Sequence, residues 1–257
     1  MLQNELLPRL MQKGQRLVSH ELHFYGIGES ELEYKLHDLM AKSKNPTIAP
    51  YAGTGEVKLR VTASLPEGED AEALLQPAIK KILAAAGDYC YGIDVPDLQT
   101  AVVQSLRQKG LTVASAESCT GGLVAARLTE VPGASAVFGC GIVSYNNTVK
   151  AEVLGVDPAI IEQHTAVSAE TAAAMAAAIR QKSGAAIGIG ITGNAGPSAS
   201  EGQPVGLVFV AVASEKYSHV SRLFIDRHDA DARNLIRHFA ALKALSLILR
   251  AAGYYKE

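Results

Sequence analysis

The sequence has few cysteines, no surplus of charge of either sign and no long apolar run, and each shortage excludes a class of protein. Three scattered cysteines, Cys90, Cys119 and Cys140, in 257 residues argue against a disulfide framework or a zinc site and favour a reducing compartment. A net charge of −2 gives no reason to expect a nucleic acid or an anionic membrane as partner. Without a signal peptide or a membrane span, we predict a soluble, cytoplasmic protein that uses no metal or other cofactor.

The residue pattern divides the chain into an opening segment and two domains. We predict a helix or linker over residues 1–15, a small α+β domain over 16–95 and a larger domain over 96–257. The order β-α-β-β-α-β in the small domain, whose first helix has Ser30 as a candidate cap, is typical of ferredoxin-like or KH-like folds. Alternating helices and strands with two adjacent late strands predict a three-layer α/β/α domain with a mixed sheet.

The stretch "VASAESCTGGLVAARLTE" places small polar residues where a strand passes into a helix. If the strand ends near Ala116, the helix is expected to begin at Cys119 or Thr120, just after Ser118. Such a turn can be a plain helix cap, an anion cradle or the mount of a nucleophile. In the last two cases the unpaired amides of the first helical turn would stabilise an anion. The turn alone does not decide among the three.

A serine nucleophile needs a base, and the sequence offers a lysine. The Gly-x-Ser-x-Gly elbow is absent, and the seven histidines show no pairing with Ser118. In "GIVSYNNTVKAEVLG", Tyr145 ends a predicted strand and Lys150 lies in the next helix, so both can reach one cavity. A lysine buried beside a hydroxyl can lose its charge and act as a general base. Alternatively, Tyr145 packs at the strand end and Lys150 faces solvent.

The segment "GIGITGNAGP" matches Gly-x-Gly-x-x-Gly without being a dinucleotide-binding loop. Gly188 and Gly190 fall inside a predicted strand, and a loop with proline, rather than a helix, follows Gly193. Glycines within a strand indicate close packing against a neighbouring element. The loop that follows is long enough to form one wall of a pocket, with the Thr192 hydroxyl at the strand end.

Five motifs in this order and spacing closely resemble the C-terminal domain of the CinA (competence/damage-inducible protein A) family: "AESCTGG", "VSYNNTVKAEVLGV", "HTAVSAETAAAMA", "TGNAGP" and "PVGLVFVAVA". The resemblance covers residues 96 to 253. The preceding region, with "FYGIGESELEYKL", "TIAPYAGTGEVKLRVTA" and "YGID", resembles the KH-like middle domain of full-length members. Their N-terminal molybdopterin-binding-like domain has no counterpart, so Met1 is expected to mark a split gene or a trimmed chain.

The resemblance implies a nicotinamide-nucleotide amidohydrolase, which converts nicotinamide mononucleotide to nicotinate mononucleotide and ammonia in pyridine-nucleotide salvage. It implies that Ser118 is the nucleophile, Lys150 its base, and Tyr145 a hydroxyl that orients the proton or relays it. It also implies a small-molecule nucleotide substrate and a homodimer or larger homo-oligomer. The substrate would be held by two walls and an arginine: Thr120, Gly121, Gly122, Thr192, Gly193, Ala195, Gly196 and Arg233. For Arg233 and for Arg237 four residues later, a solvated helix face is the alternative.

The sequence also departs from the family pattern. Asn194 replaces an aliphatic residue, "SASEGQP" replaces a loop richer in glycine and containing lysine, and "HDADAR" replaces a shorter approach to the last helix. These changes fall on the substrate wall, so we expect them to alter affinity or specificity rather than chemistry. Three alternatives remain: Cys119 as the nucleophile, a catalytically silent nucleotide-binding protein, and a module that binds RNA or a protein.

Overall fold

The computed structural model describes residues 15–254, which fall into two compact units that meet in sequence between Pro96 and Asp97. Of the helix or linker predicted over residues 1–15, all but Gln15 lies outside the described residues, and Gln15 opens the first strand. No helix in this described range is both long and apolar enough to cross a membrane.

The first unit has the predicted ferredoxin-like, KH-like topology. Its elements are β1 (Gln15–Tyr25), α1 (Glu29–Lys42), β2 (Thr47–Ala52), β3 (Glu56–Pro66), α2 (Glu72–Ala86) and β4 (Cys90–Ile93). The sheet order is β2-β3-β1-β4, and every neighbouring pair is antiparallel. Strands β1 and β2 therefore run parallel on either side of β3, which is the split βαβ arrangement.

Alternation along β3 places one face of this sheet on an apolar core. Every second residue from Val57 to Leu65 is buried, as expected of a strand with one covered face. From α1, Leu32 and Leu36 join the same core. The helix begins at Glu29 after Gly28, so the prediction that Ser30 caps it is wrong.

The second unit alternates helices and strands along the chain. Its elements are α3 (Leu98–Lys109), β5 (Val113–Glu117), α4 (Leu123–Thr129), β6 (Phe138–Val143), a π-helix (Val149–Leu154), α5 (Pro158–His164), α6 (Ala169–Ser183), β7 (Ile187–Gly193), β8 (Leu207–Ala213), β9 (Ser218–Phe224) and α7 (Ala232–Ala251). The sheet order is β6-β5-β7-β8-β9, parallel over the first three strands and antiparallel over the last two. The predicted mixed sheet is confirmed.

Helices cover both faces of the central strands, so the unit has the predicted three layers. Helix α6 packs against β7 and β8 on one face, while α7, with α3 and α4 beside it, packs against the same two strands. A Cβ on Gly188 or Gly190 would lie 2.1 or 2.2 Å from a backbone oxygen of α6, which confirms that these glycines permit close packing.

The parallel strands bring three chain segments to one edge of the sheet. Strands β5, β6 and β7 end at Glu117, Val143 and Gly193, and Ser118, Ser144 and Asn194 follow directly. The carboxyl edge of a parallel sheet is where open α/β domains bind ligands.

Candidate active site

The turn between β5 and α4 is built around a buried carboxylate. Glu117 is fully buried, and its two carboxylate oxygens accept hydrogen bonds from the amides of Val124 (3.1 Å) and Ala125 (2.9 Å) and from Ser115 Oγ (3.2 Å). The helix begins at Leu123, so the prediction that it begins at Cys119 or Thr120 is wrong. The amides of the first helical turn were predicted to stabilise a bound anion or an oxyanion. The carboxylate of Glu117 occupies that position instead.

Thr120, Gly121 and Gly122, which lead from Cys119 to α4, shape the turn and do not line the cavity described below. Gly121 and Gly122 have φ values of +60° and +92°, which glycine adopts at little cost. The amide of Gly121 donates to the carbonyl of Ser118 (3.0 Å), and Arg237 Nη2 donates to the carbonyl of Thr120 (2.9 Å). Thr120, Gly121 and Gly122, predicted to offer amides to the substrate, thus lie outside the cavity wall, and Arg237 holds the turn.

Ser118 and Lys150 meet at this edge. Lys150 lies in the first turn of the π-helix with only 1% of its surface exposed, and its Nζ is 3.4 Å from Ser118 Oγ. Burial lowers the pKa of Lys150, while the nearby Glu201 carboxylate and Cys119 act in the opposite direction. The neutral amine, the form that can accept a proton, is therefore easier to reach than in a solvated lysine.

Tyr145 reaches the site differently from the prediction. Its backbone carbonyl accepts from Lys150 Nζ at 3.4 Å, whereas its phenolic oxygen accepts from Arg233 Nη2 at 3.1 Å. The tyrosine side chain is largely exposed. In the described structure no hydrogen bond joins its hydroxyl to Ser118 or Lys150, so the carbonyl, rather than the expected hydroxyl, contacts the amine.

These residues open into a polar cavity of about 350 Å³. Four other predicted residues also line this cavity: Thr192, Gly193, Ala195 and Gly196. Thr192 Oγ1 donates to the carbonyl of Ala166 (2.6 Å), which fixes its hydroxyl. Arg233, at the start of α7, completes the rim and donates to Tyr145 and to the carbonyl of Gly196.

Asn194 organises the loop that follows β7. It is buried, and its side chain accepts from the amide of Gly196 (3.0 Å) and donates to the carbonyl of Gln203 (3.1 Å). Asn194, which replaces the aliphatic residue of the family pattern, thus connects the two ends of the cavity loop by hydrogen bonds that an aliphatic side chain could not make.

Glu201 also lines the cavity, and sequence reasoning missed it. Its carboxylate accepts from the amide of Ala166 (2.7 Å) and from Asn147 Nδ2 (3.4 Å), two residues that come from other segments of the cavity wall. Its backbone φ is +51°, unusual for a residue other than glycine. In the sequence, Glu201 is only an acidic residue in a loop of small residues. Its two hydrogen-bond partners lie 35 and 54 positions away, so no local pattern connects it with them.

Cys119 lies at the cavity but is poorly suited to attack a substrate. Its side chain is buried, and burial raises the pKa of its thiol to about 12. A thiol of that pKa holds almost no thiolate at neutral pH. Across residues 15–254 no group of three His, Cys, Asp or Glu side chains is arranged to hold a metal ion.

The comparisons with known proteins agree with this architecture. Residues 19–92 match the family described as the damage-inducible protein CinA KH domain, and residues 96–252 match the CinA C-terminal domain. A relative from Lysinibacillus sphaericus, provisionally named a competence-damage inducible protein, is 43% identical over the whole chain. A CinA-like protein from a Synechococcus species is 43% identical over 89% of the chain. The chain spans 62% and 54% of the length of these two curated relatives.

Solved structures of CinA-type proteins match about three fifths of the chain. The competence/damage inducible protein CihA from Agrobacterium tumefaciens matches 60% of the chain and 93% of its own length, with 35% identity and a TM-score of 0.56. A CinA superfamily protein from Escherichia coli matches 60% of the chain and 87% of its own length, with 29% identity and a TM-score of 0.55. The chain therefore belongs to the CinA family.

Proposed function

We propose that the protein is an amidohydrolase that converts nicotinamide mononucleotide to nicotinate mononucleotide and ammonia, within pyridine-nucleotide salvage. One observation carries the proposal: a buried lysine amine, with a lowered pKa, lies 3.4 Å from a serine hydroxyl in the wall of a polar cavity. Hydrogen bonds between a nucleophile and its base are often this long in unliganded sites and shorten on binding. The family resemblance supplies the substrate.

In the first half-reaction the neutral amine of Lys150 takes the proton of Ser118 as Oγ attacks the carboxamide carbon. The resulting tetrahedral adduct carries the negative charge on the former carbonyl oxygen. The ammonium of Lys150 then returns the proton to the nitrogen as the carbon–nitrogen bond breaks. Ammonia leaves, and an ester of Ser118 remains.

In the second half-reaction Lys150 takes a proton from water as the water oxygen attacks the ester carbon. Its ammonium then returns that proton to Ser118 Oγ as the carbon–oxygen bond to the serine breaks and the nicotinate product leaves. The oxyanion formed in each step needs donors other than the amides of Val124 and Ala125, since Glu117 occupies them. The amide of Ser118 is also engaged, because it donates to the carbonyl of Ile191 at 2.9 Å. The charged form of Lys150 is the cation nearest the developing charge.

Arg233 is the proposed phosphate ligand. It lies exposed on the rim of the cavity, and its hydrogen bonds to Tyr145 and Gly196 involve two of the five donors of a guanidinium. The remaining donors suit the oxygens of a phosphate monoester. Thr192, Gly193, Ala195 and Gly196, which line the same cavity, would contact the rest of the nucleotide.

The proposal extends to the setting of the reaction. We expect a cytoplasmic enzyme that works without a cofactor and associates as a homodimer or larger homo-oligomer. Light scattering of the purified chain measures the last property, and a monomer at every concentration would contradict it.

Ammonia release from nicotinamide mononucleotide by the purified protein tests the proposed function. We expect turnover by the wild type and its loss in Ser118→Ala, with unchanged thermal unfolding as the control for folding. Thermal stabilisation by the mononucleotide without turnover would instead identify a nucleotide-binding protein without catalysis.

A further inference from the structure

Glu201 presents a carboxylate to the cavity from a fixed position. The amide of Ala166 donates to one of its oxygens at 2.7 Å, and Asn147 Nδ2 lies 3.4 Å from the other. A carboxylate has about four lone-pair sites, so these two contacts leave acceptor capacity for a bound molecule. Its place on the cavity wall beside Lys150 and Asn147 makes that capacity accessible to a substrate.

Three charged side chains line the cavity, two of them basic and one acidic. Lys150 lies at the buried end beside Ser118, and Arg233 lies exposed at the rim. Among the described residues that line the cavity, Glu201 is the only one with an acidic side chain. Its charge is the strongest that acts on Lys150, whose pKa it raises against the effect of burial. A ring held against Ser118 lies in the same cavity as this carboxylate.

We propose that Glu201 determines specificity by recognising the positively charged pyridinium ring of the substrate. This inference rests on the proposed function, because nicotinamide mononucleotide carries a cationic ring at one end and an anionic phosphate at the other. A ring whose carboxamide lies at Ser118 Oγ has its charged nitrogen inside the same cavity, within reach of Glu201. Arg233 then meets the phosphate, and the two protein charges match the two substrate charges.

A comparison of two mononucleotides that differ in ring charge tests this role. The reduced form, dihydronicotinamide mononucleotide, keeps the carboxamide and the phosphate but has an uncharged ring. Dissociation constants of both are measured by calorimetry on the full chain carrying Ser118→Ala, with and without Glu201→Gln. The glutamine retains an oxygen for the Ala166 amide, so the loop keeps its anchor. Glu215→Gln, an exposed change in the β8–β9 turn away from the cavity, is the matched control.

We expect the Ser118→Ala protein to prefer the charged ring by about five- to tenfold, as for a partly solvated ion pair. Glu201→Gln should bring that preference close to one, and Glu215→Gln should leave it unchanged. An equal loss of affinity for both mononucleotides, or an unchanged preference, would overturn the role of Glu201. Ammonia release by the wild type separates the two failures: its absence would overturn the proposed function together with this role, whereas its presence confines the failure to Glu201.

Discussion

Lys150 Nζ lies 3.4 Å from Ser118 Oγ, although 32 positions separate the two residues in sequence. The parallel strands β5 and β6 produce this proximity, because one ends just before Ser118 and the other just before the segment that carries Lys150. The π-helix then directs the lysine inward, where burial favours its neutral form.

The pH dependence of the reaction should report on Lys150. The proposed mechanism requires the neutral amine, so kcat/KM for nicotinamide mononucleotide should rise with pH and level off once Lys150 is deprotonated. Because burial lowers the pKa of Lys150, the midpoint should fall below the usual lysine value of 10.5. A pH series of ammonia release measures it.

Two variants control for this assignment. Lys150→Met keeps an unbranched side chain of similar length but removes the amine. Its rate should fall at least about a hundredfold at every pH. Lys150→Arg should not restore activity, since a guanidinium does not lose its proton in this range. An unchanged pH midpoint in either variant would show that another group titrates.

Cys119 should be dispensable. Burial raises the pKa of its thiol to about 12, so little thiolate forms at neutral pH. We expect Cys119→Ala to stay within about threefold of the wild-type rate, since it removes only a small buried side chain. Wild-type protein treated with iodoacetamide should remain active when ammonia release is then measured. Rapid inactivation that Cys119→Ala prevents would place the thiol in the reaction.

Glu117 should contribute to stability. Removing its carboxylate leaves the amides of Val124 and Ala125 without their acceptors inside the fold. We expect Glu117→Ala to lower the free energy of unfolding by about 2–4 kcal/mol, in the range for buried unsatisfied donors and a lost helix cap. Urea unfolding measures it. Glu130→Ala, an exposed change at the end of the same helix, should stay within about 0.5 kcal/mol of the wild type.

His20 should make the first unit less stable at high pH. Glu72 and Asp94 accept from its two ring nitrogens, and the Glu72 hydrogen bond is the main reason that the pKa of His20 is raised above 6.5. The charged form is favoured in the folded state, so the extra stability is fully present below about pH 6.5 and is lost as the pH rises through the higher folded value.

His20→Gln measures this contribution. Urea unfolding of the full chain, followed below pH 6.5 and well above it, should show a loss of stability at high pH in the wild type that the variant lacks. His37→Gln on the exposed side of α1 is the control. An equal pH slope in the wild type and His20→Gln would refute the assignment.

Patterns that depend on the local chain predicted the fold well. The alternation of β3 follows from residues two apart, and the glycines of β7 predicted close packing against a neighbouring element, which the structure identifies as α6. The convergence of Ser118 with Lys150 was predicted from the family resemblance, and the parallel strands supply its geometry.

Features that depend on where a side chain points were missed. Nothing in "AESCTGG" shows that Glu117 turns inward to the helix amides, so the start of α4 was placed too early. Likewise, spacing could bring Tyr145 to Lys150 but could not distinguish its carbonyl from its hydroxyl. Glu201 acts through a loop that folds back across the chain, which no local pattern encodes.

Peptide mapping of an acid-quenched reaction tests the Ser118–Lys150 chemistry most directly. Wild-type protein mixed with nicotinamide mononucleotide should yield a peptide containing Ser118 with the added mass of the acyl mononucleotide, attached as an ester. The Ser118→Ala protein should yield none. An adduct of equal yield in that variant, or one carried by the Cys119 sulfur, would contradict the account.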